Sequence, residues 1–286
     1  MLCSFPYRRV AAQTYERRNG NLVLALNTRP PYSLPYGQDR LLPIWIATAF
    51  QAQNCPKHNT IVFRASRDIL DAFHLAPNGQ QYRRLLERFE HVFNATIYVE
   101  LQKGNTRVVE RYQLMQRLAL TIGRRDACNQ YNLWQSQIVL DPYFAEQLRS
   151  SPVPIDLETV IALKDKPSAL DLYIWQSYRS WTLAQQGRKR HVAVPLDTAV
   201  GLFAQLGYQI QSHARAVQSL KIAQRYVRAA WPECRNGYDP KTGRFLVYPS
   251  RAVHRQARIQ LPGVRNPPPP QERIIAGKAD LTLERS

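Results

Sequence analysis

The sequence predicts an α+β protein built from two tandem copies of one unit, each running helix, strand, helix, helix and β-hairpin, with a basic stretch at either end. Three observations predict it. Hydrophobic periodicity switches between the helical and the strand repeat in the same order before and after residue 150. Matched positions keep a near-constant offset, with Trp45 and Trp175 standing 130 residues apart, Val62 and Val192 also 130, and Asp68 and Asp197 129. An apolar content of 44% over 286 residues is enough to build cores, so the charge belongs to a folded chain and not to a disordered tail.

In the first unit, Leu42, Trp45, Ile46 and Ala49 recur at helical spacing between residues 40 and 51. A β-branched run at 60–63 reads as a strand. Ser66 is placed to cap a short helix over 66–76, and Gln80 to Ala95 reads as an amphipathic helix. The segment TIYVELQKGNTRVVERYQLMQ then reads as two strands around a Gly104-Asn105 turn. WQSQIVLD (134–141) reads as a strand, followed by a short helix at 142–150. The turn SPVP marks the boundary between units, after which the acids of Asp156-Leu157-Glu158 suit the start of a helix.

The second unit repeats the order. Leu170, Tyr173, Ile174, Tyr178 and Trp181 make the stripe of a helix over 168–183, and His191 to Val194 is a strand. Pro195 suits the first turn of a helix over 195–206. A long helix follows over about 212–231, and a hairpin over 238–248 turns at Thr242-Gly243. Helix, strand, helix, helix, hairpin is the order of a winged helix, in which the second helix of the pair enters the major groove. The expected organisation is a basic N-terminal arm (1–30), winged-helix domain 1 (31–150), winged-helix domain 2 (151–250) and a Pro-rich basic tail (251–286) containing Pro267 to Pro270. The run Leu22 to Leu26 is apolar enough to dock on the fold as a strand.

Charge narrows the function. Lys and Arg number 39 against 21 acids, a net +18, and arginine supplies most of the excess. Such a balance points to a polyanionic partner, and arginine favours bidentate contacts to phosphate and guanine. The apolar runs fall short of the ~20 residues of a membrane helix, and the start has no apolar leader, so a cytoplasmic protein is expected. Cys3, Cys55, Cys128 and Cys234 are too scattered for a zinc site or a disulfide framework. The six histidines form no His-x-His pair, no phosphate-binding Gly-rich loop precedes a Lys-Ser/Thr, and the one Asp-x-Glu, at Asp156, suits a helix cap. A binding protein without cofactor or catalytic residues is expected, not an enzyme.

Candidate contact residues lie on the third helix of each unit and its hairpin. On 80–95, Leu85, Leu86, Phe89, Val92 and Phe93 gather on one side while Arg83, Arg84 and Arg88 take the other. On 212–231, Lys221, Arg225 and Arg228 stand one turn apart, with His213 and Arg215 near the start, and no acid occurs from Gln205 to Pro232. Lys241 and Arg244 at the second hairpin, and Lys103 and Arg107 at the first, are positioned to meet a phosphate backbone. Trp45, Trp175 and Trp181 lack interleaved basic residues and read as core, not as base-stacking platforms.

The stretches LPYGQDRLLPIWIATAF (34–50), VFRASRDILDAFHL (62–75), YRRLLERFEHVFNATI (82–97) and SSPVPIDLETVIALKDKPSALDLYIWQSYRSW (150–181) together resemble the plasmid-encoded RepA replication-initiator family. The last is the most specific, through Pro152, Pro154, Asp156, Lys164, Pro167, the run Ala169 to Tyr173, Trp175, Tyr178 and Arg179. The resemblance implies tandem winged helices that bind double-stranded DNA at repeats in a plasmid origin. It also implies engagement of host replication proteins, the initiator and the replicative helicase. A repressor of the same fold, acting as a homodimer at its own promoter, is the alternative.

Overall fold

The computed structural model describes residues 5–120, 136–208, 212–250 and 261–264. The chain begins with a hairpin, β1 (Thr14–Asn19) and β2 (Leu22–Asn27). A 3-10 turn (Gly37–Arg40) leads into α1 (Leu41–Ala52), then β3 (Thr60–Phe63), α2 (Ser66–Ala72) and α3 (Gly79–Asn94). The strands β4 (Thr96–Lys103), β5 (Thr106–Tyr112), β6 (Met115–Ala119) and β7 (Ser136–Leu140) follow, and α4 (Pro142–Ser150) closes the first half. The second half holds α5 (Leu157–Leu163), α6 (Pro167–Gln185), β8 (Val192–Pro195), α7 (Leu202–Leu206), α8 (His213–Ala230), β9 (Gly237–Asp239) and β10 (Arg244–Val247).

Local chemistry explains most boundaries. Asn78 accepts from the Gln81 amide at the start of α3, Asp141 from Tyr143 and Phe144 at α4, and Asp156 from the amide and hydroxyl of Thr159 at α5. At α2 the capping carboxylate is that of Asp68, which reaches back to the Ala65 amide at 2.9 Å, so Ser66 is the first helical residue and not the cap.

Duplication is visible in the sheets. In one half the order is β3-β7-β6 and in the other β8-β10-β9, so in both the first strand pairs with the last and the last with the middle one, all antiparallel. The counterpart of the β9–β10 hairpin is therefore the β6–β7 pair, whose connection lies outside the described residues. The hairpin around Gly104-Asn105 is a different element: β4 and β5 belong to a four-stranded antiparallel sheet, β1-β2-β4-β5. Sequence periodicity sees a hairpin at 96–112 but not which strands it joins.

That sheet also corrects the expected N-terminal arm. Leu22, Leu24 and Leu26 alternate along β2 and pair with Leu101, Val99 and Ile97 of β4, and both Phe5 and Leu26 are buried. Of the five arginines of residues 1–30, Arg17 and Arg18 lie on the edge strand β1, and alternation turns Arg18 to solvent and Arg17 inward to donate to the Gln205 carbonyl at 3.1 Å. The tail differs too in its one described piece. Leu261 is buried and Val264 bridges to Phe63, adding to the free edge of β3. Residues 251–260 and 265–286, with the proline run, lie outside the described residues.

The expected helix over 195–206 shrinks to α7. Pro195 is paired with Arg244 in the sheet, and Gly201 lies so close to the Leu196 carbonyl that a Cβ there would be 2.5 Å away. The chain turns there before a helix can start.

The buried apolar side chains form one connected cluster from Phe5 to Leu261, spanning both halves. At the junction Arg40, just before α1, donates to both oxygens of Asp171 on α6 (2.8 and 3.2 Å), and neither side chain is exposed. The same guanidinium donates to the carbonyls of Phe5 and Gly37 and stacks on Tyr7. Lys164 donates to the Phe73 and His74 carbonyls beyond α2, and Tyr7 to the Leu206 carbonyl. Trp45 and Trp175 are core residues, each edge-on to a sheet phenylalanine, Phe63 and Phe245 respectively, while Trp181 is half-buried against Tyr178.

Candidate nucleic-acid interface

Third in its unit, α8 buries Ala216, Val217, Leu220, Ala223 and Val227 against α6 and α5. A buried polar chain sets its rotation: Gln176 donates to Gln224 at 2.7 Å, and Gln224 to the Asn236 carbonyl at 2.9 Å. Both amides would be costly to leave unpaired, so the helix cannot turn about its axis without penalty. What it then shows to solvent is Arg215, Gln218, Ser219, Ile222, Arg225 and Tyr226, with Lys221 at the rim.

The expected contacts of the second unit divide. Arg215 and Arg225 are exposed and make no ion pair among the described residues. Lys221 is exposed, its ammonium 5.2 Å from the centre of the Tyr238 ring on β9. Lys241 and Arg244 are exposed at the β9–β10 turn, whose shape Asp239 holds by accepting from the Lys241 amide and the Thr242 hydroxyl. Arg228 instead turns back to the Asn236 carbonyl at 3.1 Å, and lies where a Cβ on Gly237 would collide with it. His213 stands 3.2 Å from Asp197, an acid outside the helix that inspection of the helix alone overlooks.

In the first unit, Arg83 and Arg84 are exposed in the first turns of α3. Arg88 is not: it is 6% exposed, donates to Gln38, and lies 3.8 Å from Asp39. Burial lowers its pKa while Asp39 opposes that shift. The reason is angular. At 100° per residue Arg88 lies only about 60° from Leu85, beside the apolar stripe, and the 3-10 turn carrying Asp39 packs there. Asp39 also accepts from the Tyr36 amide and sits 2.8 Å from His91. Arg88→Ala is therefore expected to cost about 1–3 kcal/mol of stability, through the lost bond to Gln38 and the removal of the guanidinium from beside buried Asp39. Arg83→Ala and Arg84→Ala should leave stability within about 0.5 kcal/mol and weaken DNA binding; urea unfolding and gel retardation on the same samples check both.

Lys103 and Arg107 sit on the separate hairpin, with Arg107 paired to Glu100 at 2.7 Å. The run Arg188, Lys189, Arg190, exposed ahead of β8 and free of ion pairs among the described residues, was not among the expected contacts; three consecutive cations are a signal visible in sequence. Exposed Ile222 and Tyr226 were also missed, because an apolar residue on a helix reads as core until its rotation is known. Among the described residues no cluster of three or more His, Cys, Asp or Glu could hold a metal ion, and no helix is long and apolar enough to cross a membrane. Cys55 and Cys234 are free thiols; Cys3 and Cys128 lie outside the described residues.

Fold and interface define a two-unit α/β protein with antiparallel sheets and a cationic helix. The crystal structure of selenomethionine derivatives of domains 2 and 3 of RctB is similar to it, with a TM-score of 0.55 and 11% identity over 77% of this chain and 82% of that one. At that identity the likeness is one of fold. A second crystal structure, of RctB domains 2-3, gives a TM-score of 0.49 and 12% identity over 82% of each chain. No curated protein matches the sequence.

Residues 76–197 match the family model described as "Plasmid encoded RepA protein", and this stretch includes the motif at 150–181 that carries the resemblance.

Proposed function

We propose that this protein initiates plasmid replication by binding repeated duplex sites in an origin through two winged-helix units, with α3 and α8 in successive major grooves. The observation that carries the reading is the repeated sheet order, β3-β7-β6 and β8-β10-β9, each with a helix bearing exposed arginines between its first strand and the other two. First strand to last and last to middle is the pairing that places a hairpin wing beside the third helix. The β9–β10 turn with Lys241 and Arg244 is the wing of the second unit. In the first unit the β6–β7 pair takes the corresponding place, and the hairpin with Lys103 and Arg107 does not.

Cationic contacts supply most of the affinity, so the observed association constant falls as about the 0.9 power of salt for each phosphate neutralised. The protein needs no cofactor, acts without strand cleavage and works in the bacterial cytoplasm on plasmid DNA. It hands the opened origin to host proteins, the initiator and replicative helicase of the RepA-type pathway. A plasmid carrying only the origin, with this protein supplied in trans, tests the reading: replication is expected. Promoter repression without replication would favour the autoregulatory dimer instead, and metal-dependent nicking of supercoiled DNA would mean an enzyme.

A further inference from the structure

We infer that Ile222 on α8 reads thymine, by packing against the C5-methyl group in the major groove. The inference rests on α8 being the helix that enters DNA.

The outward face of α8 is not led by the cations that its sequence brings forward. Its centre is Ile222, 37% exposed, with Gln218 and Arg225 on one side and Tyr226 on the other. Tyr226, 42% exposed, is already engaged by Lys166, whose ammonium lies 5.2 Å from its ring centre. Ile222 has no such partner among the described residues. An isolated exposed aliphatic needs no explanation by itself. Here its rotation is held outward by the buried Gln176–Gln224–Asn236 chain on the opposite side, and its surroundings are cationic with no acid on the helix.

That charge favours a polyanion over an apolar protein surface as the occupant. Of the groups that a duplex displays in the major groove, the thymine methyl is the one apolar feature. A branched aliphatic held at the centre of a cationic face matches it. Gln218 and Arg225, one turn away on the same side, are of the residue types that pair with adenine and guanine edges. The second unit is thereby predicted to prefer a site with thymine under the middle of α8.

The test uses the full chain and a duplex it selects from a randomised library. Thymines within the footprint of α8 are replaced singly by uracil, which keeps the base pair and lacks only the methyl. At one or two positions affinity should fall about fourfold, the equivalent of about 0.8 kcal/mol for one buried methyl. Ile222→Ala, at an exposed helical position where alanine is the better helix former, should lose a similar factor on the thymine site and show no further loss on the uracil site. If the variant keeps the full uracil penalty, or no thymine under α8 matters, the assignment of Ile222 is wrong while DNA binding stands. If the full chain selects no duplex at all, both this inference and the proposed function fall.

Discussion

Arg40→Ala is expected to remove about 3–5 kcal/mol of folding stability, a large share of the 5–15 kcal/mol typical of a domain. Both partners of the Arg40–Asp171 pair are fully buried, and the guanidinium also satisfies the carbonyls of Phe5 and Gly37. Removing it leaves a carboxylate and two carbonyls without their donor in the middle of the joint between the halves. Burial holds the Asp171 carboxyl above its ordinary pKa, with Arg40 the main opposing charge and Arg17 a weaker one, so without Arg40 the upward push grows. A carboxyl raised in the folded state keeps a proton that the unfolded chain releases. The variant's deficit should therefore shrink as pH falls below the raised value towards the ordinary carboxylate range, and grow as pH rises. Urea unfolding across that range measures it. Arg40→Met combined with Asp171→Leu removes both charges and should lose much less than either single change. Equal loss in the double variant would mean that the carbonyl contacts, and not the ion pair, hold the joint.

Reversing two charges on α8, Lys221→Glu with Arg225→Glu, should abolish site-specific retardation while leaving the fold intact. Both side chains are exposed, and the contact of Lys221 over the Tyr238 ring is worth about 0.5–1 kcal/mol. Against phosphates the change is much larger, since each contact is lost and replaced by repulsion. The paired alanine variant gives the quantitative form. The slope of log affinity against log salt should become shallower by about 2, at about 0.9 per phosphate released. Thermal unfolding serves as the control. A folded double-Glu variant with unchanged affinity would remove α8 from the interface.

The two predictions separate two jobs that the sequence mixes together. The motif at 150–181, which carries the family resemblance, is largely occupied with holding its own turns and the joint between the halves. Asp156 caps α5, Lys164 holds the carbonyls beyond α2, Asp171 meets Arg40, the Tyr173 hydroxyl accepts from the Asp156 amide, and Ser177 donates to the Pro154 carbonyl. Trp175 and Arg179 both donate to Gln205 on α7. Its regularity comes from buried hydrogen bonds, whose geometry tolerates little change.

Much of the architecture follows from residue order alone, because its causes are local. Capping residues and 3.6-residue stripes place α3, α4, α5, α6 and α8 to within a few residues, β3 is found at its full extent, and the duplication can be counted from tryptophan, valine and aspartate spacing. The excess of arginine predicts a polyanionic partner for the same reason, since net charge adds up irrespective of fold. Tertiary structure decided what depends on long-range neighbours. It drew an arginine-rich N-terminus into a sheet with β4, gave the Gly104-Asn105 hairpin to that sheet instead of to the first unit, and merged two expected cores through Arg40 and Asp171. It also turned Arg88 inward and Ile222 outward. A helical wheel spaces side chains by angle but cannot say which angle is covered, and that is settled by the acid or amide that a distant segment brings to it.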